Sequence, residues 1–185
     1  MLSDFKNTWP VSLKMKIESS AENLWSLISK PANLNLIHPF CKSNKIIKWE
    51  KDNYQDVLIY LNGLTYFRDF IKWEKNKGYT LLIGRKRGQK SKVEWKITTI
   101  KKNTYLSITV HPYLLNSCPK FISFAPYYVI IKPILKKYLH SVISGINWYL
   151  INQKPVPKNH FGKHIWFSKF SVSYTHLRAH ETRIH

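Results

Sequence analysis

Apolar and polar residues alternate from Val11 to Glu18, with Val11, Leu13, Met15 and Ile17 on one parity and Ser12, Lys14, Lys16 and Glu18 on the other. A period of two predicts a strand with one dry face and one wet face. Ser19 and Glu22 follow as an S-x-x-E capping box. It predicts a helix entered almost without a connector, burying Leu24, Trp25, Leu27 and Ile28 and stopped by Pro31. Asn33 to Cys41 predicts a short second helix ended around Pro39. Six strands at the short spacing of an antiparallel meander come next: Lys45 to Glu50, Asp56 to Asn62, Thr65 to Glu74, Tyr79 to Arg85, Lys92 to Ile100 and Tyr105 to His111. Their connectors carry turn chemistry, namely Asn62-Gly63, Asn76-Lys77-Gly78, Arg87-Gly88 and Lys102-Asn103. After Pro119 the period changes. Ile134, Leu135, Tyr138, Leu139, Val142, Ile146 and Tyr149 recur at three and four, as on one apolar face of a long helix with Pro133 in its first turn and Asn152 with Pro155 at its end. The order β, α, α, six β, α places the chain in the α+β class.

The opening KMKIESSAENLWSLISKPANLNLIHPF, followed by the strand run and the long C-terminal helix, resembles the START-like (SRPBCC, helix-grip) superfamily of polyketide-cyclase and lipid-transport type. The resemblance covers about Val11 to Gln153. It implies an antiparallel sheet of about seven strands wrapped around the C-terminal helix, with a hydrophobic cavity between them. Members bind lipids, isoprenoids or polyketides, and some catalyse cyclisation or hydrolysis, so the resemblance implies no single function. Two stretches depart from the family pattern: the aromatic, lysine-bearing Phe121 to Lys137, and KPVPKNHFGKHIWF after the long helix.

The 185 residues include 30 Lys and Arg against 10 Asp and Glu, for a formal charge of +20. Such a balance favours anionic partners, although the lysines are spread over every solvent face, as in a compositionally biased sequence. Cys41 and Cys118 are too few for a disulfide framework, and free thiols in a reducing compartment are the expectation. MLSDFKNTWP has no apolar core of a secretory signal. Phe121 to Ile151 is interrupted by Lys132, Lys136 and Lys137, so its uncharged runs fall short of the roughly 20 residues needed to span a bilayer. A cytoplasmic location is expected, with a peripheral membrane location as the alternative. Ser171 to Thr182, SVSYTHLRAHET, resembles the translation of a sequencing adapter. Residues 171–185 are therefore set aside as a non-native tail, together with His176, His180 and His185. Residues 1–170 are expected to form a single ligand-binding domain with its core at about 11–153.

Strand parity locates the candidate chemistry. Val93, Trp95 and Ile97 face inward against outward Lys92, Glu94 and Lys96. In Thr65 to Glu74, Arg68 and Lys72 share parity, which places Phe67, Asp69, Ile71 and Trp73 on the inner face. Asp69 would then be a carboxylate on an apolar surface, in need of a partner or a raised pKa. It is either a polar anchor or general base for a ligand, or it is turned outward by a bulge to pair with Arg68 or a lysine of a neighbouring strand. His38 with Cys41 (H-x-x-C) and His160 with His164 (H-x3-H) could each give zinc two ligands. Neither has a second pair at suitable spacing, so no metal site is expected. His38, beside Pro39, is either a gate or hydrogen-bond donor at the cavity edge or a structural histidine. No G-x-S-x-G elbow, activated cysteine or phosphate loop appears. Arg85, Lys86, Arg87, Lys90 and Lys92 form the strongest basic focus. The neighbouring Trp73, Tyr79 and Trp95 have the parity of core residues, which disfavours nucleic acid and leaves a solvated hairpin or a rim that attracts anionic lipid or an acidic ligand to the cavity.

The expectation is a protein that binds or carries a small hydrophobic or amphipathic molecule, of lipid, isoprenoid or polyketide type, between sheet and C-terminal helix. No cofactor is implied. Expected lining residues are Met15 and Ile17 on the first strand, Ile59, Phe67, Ile71 and Trp95 on the meander, and Leu135, Tyr138, Val142 and Ile146 on the helix. Asp69 and Tyr66 or His38 supply polar contacts. The alternatives are a cyclase or hydrolase using Asp69 or His38 as acid or base, and a peripheral anionic-membrane or nucleic-acid binder acting through its basic surface.

Overall fold

The computed structural model describes residue 5, residues 9–114 and residues 120–170. Cys118 and the adapter-like stretch 171–185 lie outside the described residues. Strand β1 (Val11–Ile17) keeps the predicted alternation and leads into α1 (Ala21–Ile28), which buries Leu24, Trp25, Leu27 and Ile28. The cap lies one residue later than the capping-box reading. Ser20 Oγ accepts from the Asn23 N–H at 3.1 Å, while Glu18 leaves the strand by donating its N–H to Asn147 Oδ1 at 3.1 Å. Glu22 thereby falls in the first turn, where the positive end of the helix favours a carboxylate. The second helix, α2, is only Leu34–Ile37, because the chain already pairs as a strand at Cys41.

Strands β2 (Cys41–Glu50), β3 (Asn53–Tyr60), β4 (Thr65–Glu74), β5 (Gly78–Gly84), β6 (Lys90–Ile100) and β7 (Asn103–His111) form an antiparallel meander, and β1 closes beside β7. The result is a seven-stranded antiparallel sheet in the order β1-β7-β6-β5-β4-β3-β2 wrapped around the long C-terminal helix. That helix begins as α3 (Lys120–Pro126), passes through a π-helical segment (Tyr127–Ile131) and continues as α4 (Lys132–Asn152). Pro133 has no N–H to offer the carbonyl four residues back, and the wide turn before it bonds Lys132 N–H to the Tyr127 carbonyl instead. Leu135, Leu139, Val142, Ile143 and Ile146 are buried on the sheet-facing side of α4. Gly145 lets α4 cross α2 closely, since a Cβ there would lie 2.2 Å from the Ile37 carbonyl oxygen. Asn147 ties the same helix to β1, its Nδ2 donating to the Lys16 carbonyl at 2.9 Å. No helix among the described residues is long and apolar enough to cross a membrane.

Strand parity needs correction on β3 and β4. Asp56, Leu58 and Tyr60 are the buried residues of β3, which puts Ile59 on the opposite face. On β4 the register shifts between Phe70 and Lys72. This β-bulge reverses parity along the strand, so the outward Lys72 says nothing about Arg68. Upstream of it Tyr66, Arg68 and Phe70 point inward; downstream, Trp73 does. Phe67 and Asp69 therefore sit on the outer face, and Ile71, at the bulge, is 46% exposed. Asp69 pairs with Lys90 of β6, which is the outward-bulge alternative.

Candidate functional site

Between the inner face of the sheet and α4 lies a cavity of about 120 Å³. Its apolar wall combines Leu81, Val93, Trp95 and Ile108 of the sheet with Leu135, Leu139 and Val142 of α4. Trp95 ends a row of stacked rings running across β3 to β6, with Tyr54 on Trp73 at 4.3 Å, Trp73 on Tyr79 at 5.4 Å and Tyr79 on Trp95 at 5.3 Å. The row fills one part of the concave sheet and sets the boundary of the cavity.

The other side of the cavity is polar. Arg68 lines it, with Nε donating to Asp56 Oδ1 at 2.7 Å and Nη2 donating to Oδ2, and the two side chains are 4% and 0% exposed. Burial works against the guanidinium charge, but the Asp56 carboxylate more than offsets it and raises the Arg68 pKa. Arg68 therefore stays charged, in a bidentate pair whose two charges cancel. Next to this pair, His38 Nδ1 accepts the Phe40 N–H at 3.2 Å. The proton of the neutral ring is thus on Nε2, which donates to Tyr138 Oη at 2.9 Å. Tyr138 Oη lies 3.2 Å from Tyr60 Oη, and either hydroxyl can donate to the other.

The two hydroxyls own two protons, and the bond between them uses one. The remaining O–H finds no acceptor in this cluster, and both hydroxyls belong to residues that line the cavity. The cluster can therefore donate one hydrogen bond into the cavity.

All three groups are neutral near pH 7. Burial, followed by the charges of Arg68 and Lys158, lowers the His38 pKa from 6.5 to about 3. Burial pushes Tyr138 up to about 12 and Tyr60 well above the ordinary phenol value. With Nδ1 occupied by a backbone N–H and Nε2 protonated, His38 has no lone pair to act as a base on a molecule in the cavity.

Of the residues expected from sequence, Tyr66, Trp95, Leu135, Tyr138, Val142 and His38 meet around this cavity. Ile17 and Ile146 are buried and Met15 is partly buried in the surrounding core, but they do not line it. Ile59, Phe67, Asp69 and Ile71 are kept out by the parity reversals described above. Sequence reasoning missed Tyr60, Arg68 and Asp56, and also the closing segment after α4. Beyond Gln153, whose φ of 53° caps the helix, the chain turns back over α2: Val156 N–H donates to the Leu36 carbonyl at 2.8 Å and Asn159 N–H to the Pro39 carbonyl at 2.9 Å. His164 Nδ1 accepts from Trp166 N–H at 3.3 Å, leaving Nε2–H to donate to the Ile134 carbonyl at 3.1 Å. Asn62 Nδ2 donates to the Trp166 carbonyl at 2.8 Å, and Phe167 stacks on Tyr60 at 4.2 Å. Trp166 and Phe167 thus form part of the cavity wall. Among the described residues no three His, Cys, Asp or Glu side chains gather to hold a metal ion. Trp73, Tyr79 and Trp95, near the basic hairpin in sequence, belong to the core.

No family model matches the chain, and no curated protein matches it. Solved structures share its fold. A START superfamily protein from Mycobacterium smegmatis superposes with a TM-score of 0.59 at 14% identity, covering 78% of this chain and 99% of that one. A protein of the dynemicin biosynthetic locus gives 0.59 at 11% identity over 79% of this chain; the chain spans only 48% of its length. A protein of Thermus thermophilus gives 0.58 at 10% identity, covering 78% of this chain and 99% of that one. These likenesses show the helix-grip architecture, a shape compatible with holding a small hydrophobic molecule.

Proposed function

We propose that residues 1–170 are one ligand-binding domain, and that it holds a small amphipathic molecule with its apolar part against Trp95, Leu139 and Val142. A single acceptor oxygen of the ligand takes the spare hydroxyl proton of the Tyr60–Tyr138 pair. The observation that carries this reading is the mostly apolar space with the spare hydroxyl proton of the Tyr60–Tyr138 pair on its polar side. A neutral donor of this kind selects a ligand oxygen without binding charge. The size of the space bounds the ligand. At about 120 Å³ it is smaller than the engineered apolar cavity of about 150 Å³ that accepts benzene, and well below the roughly 300–1,000 Å³ of drug-sized sites. A single ring or a short branched chain fits as the cavity stands. A lipid, isoprenoid or polyketide of larger size would need more room than this space offers as it stands. Binding or carriage is favoured over catalysis, because Asp69 points away and the His38 lone pair is engaged.

Acetophenone and ethylbenzene, similar in shape but differing in one carbonyl, provide the test. Acetophenone should bind more tightly than ethylbenzene once each is corrected for its partition from water. Val142→Phe, which fills the space from α4, should weaken both at least tenfold while the far-ultraviolet spectrum stays native. Unchanged binding in a folded Val142→Phe protein would show that the cavity is not the site, and equal affinity for the two compounds would remove the hydroxyl donor from the reading.

A further inference from the structure

The helical segment before α4 is amphipathic in the wrong sense for a free surface. Its covered side is Ser123, Tyr127 and Ile131, spaced by four, and Tyr127 Oη donates to the Trp9 carbonyl at 2.5 Å. The uncovered side is entirely apolar: Ile122 is 57% exposed, Phe124 51%, Val129 73% and Ile130 55%. The sequence carries no charge from Phe121 to Ile131. The patch runs on, because Ile130 and Ile134 are one turn apart and Ile134 shares a surface groove with Ile165 and Phe170, themselves 67% and 54% exposed. An exposed apolar surface of this extent marks a docking site.

The charges around it identify the partner. Lys132 stacks its ammonium 4.2 Å from the Tyr128 ring centroid, Lys136 and Lys137 are exposed on the next turn, and Lys163 stands at the groove. From Trp95 to Phe170 the sequence contains no Asp or Glu, although residues 112–170 contain eight lysines. Apolar side chains bordered by lysine, on a stretch of sequence without Asp or Glu, match the acyl and headgroup layers of an anionic bilayer. A protein partner of ordinary composition would not require so long a stretch without Asp or Glu. We infer that the Ile122 to Ile134 face, with Ile165 and Phe170, docks this protein on an anionic membrane surface. Leu114, 38% exposed, and Trp166 both line the cavity and lie on the segments that flank this face in sequence. Docking would bring that edge of the cavity to the hydrocarbon in which apolar ligands concentrate. That last link rests on the ligand-binding reading; the docking face itself does not.

Sedimentation of the full chain with phosphatidylcholine vesicles, with and without 30% phosphatidylserine, provides the test, with acetophenone binding measured on the same samples. The expected result is binding to the phosphatidylserine vesicles, weakened by salt, at least tenfold weaker on pure phosphatidylcholine. Val129→Asp/Ile130→Asp should reduce vesicle binding at least tenfold and leave acetophenone binding unchanged. Vesicle binding retained within twofold in this variant would mean that diffuse charge, not this face, makes the contact, and would overturn the inference. So would a wild-type dimer in sedimentation velocity that the same variant dissociates, since the face would then be covered by a second copy. Failure of the wild-type chain to bind the phosphatidylserine vesicles while it binds acetophenone refutes the membrane face alone; wild-type docking without acetophenone binding refutes the cavity reading alone.

Discussion

Replacing His38 by Gln should flatten the acid limb of the stability curve. The buried ring holds a pKa of about 3 in the folded protein, against 6.5 for an exposed histidine. Between those values the unfolded chain binds a proton that the folded one does not, so stability rises with pH across that window. The contribution of the neutral ring is complete above the unfolded value and is lost as pH falls from there toward the folded value. At pH 5 the loss from this residue is about 2 kcal/mol, since each pH unit below the unfolded pKa is worth about 1.4 kcal/mol. For a chain of this length that corresponds to a fall in Tm of about 4–8 °C. Gln keeps an amide oxygen and an amide donor but does not titrate. Urea unfolding followed by tryptophan fluorescence at pH 8 and pH 5, on wild type and His38→Gln, gives the difference directly. Other groups, including His111 and His164 whose pKa values burial also lowers, are present in both proteins and cancel. A drop of the same size in both would mean that His38 is protonated in the folded state. The tautomer assignment and the proton count at Tyr138 would then both fail.

Two further outcomes concern the frame of the cavity. Asp56→Leu or Arg68→Met alone should destabilise by about 3–5 kcal/mol, because each leaves a buried charge unpaired, whereas the double variant should recover most of that loss in a denaturation cycle. Gly145→Ala should lower stability by about 1–3 kcal/mol, because its methyl would meet the Ile37 carbonyl at 2.2 Å and push α4 away from α2. An unchanged denaturation midpoint would show that the helices pack less closely than this.

Much of the architecture was legible because it is periodic and local. The alternation of Val11 to Ile17, the 3–4 spacing from Ile134 to Tyr149 and the turn residues at Asn62-Gly63 each depend on near neighbours in the chain. The cavity was only half legible, for reasons located at particular residues. On α4 and β6 no irregularity intervenes, and Leu135, Tyr138, Val142 and Trp95 line the cavity as parity predicts. On β4 a single extra residue reverses the parity, and nothing in FRDFIKWE announces it. Arg68 nonetheless left a signal in its partner. The Tyr60 N–H bonds to the Leu64 carbonyl at 2.8 Å, and Gly63, at φ 89°, turns the three-residue loop between them. Counting outward from Tyr60 and Leu64 pairs Leu58 with Tyr66 and Asp56 with Arg68. Opposite charges directly across a hairpin, each at the parity of buried neighbours, are readable as an inward ion pair. The segment from Gln153 to Phe170 left no comparable trace, being aperiodic and held by contacts distant in sequence.

The bulge at Ile71 also explains why the cavity has two unlike sides. Without it, Arg68 and Trp73, five residues apart on one strand, would point to opposite faces. With it, both point inward. Arg68 reaches Asp56 and the Tyr60–Tyr138 corner, and Trp73 takes its place in the stacked row from Tyr54 to Trp95. The outer face gains as well, since Asp69 is delivered to Lys90 instead of being buried without a partner. One inserted residue thus separates the inner surface into an ion-paired, hydrogen-bonded part and an aromatic part, with the cavity at their junction under α4. An occupant of that junction meets rings and aliphatic side chains on one side, and on the other the neutralised Arg68–Asp56 pair and a spare hydroxyl proton. That chemistry favours a weakly polar molecule over either a hydrocarbon or an ion.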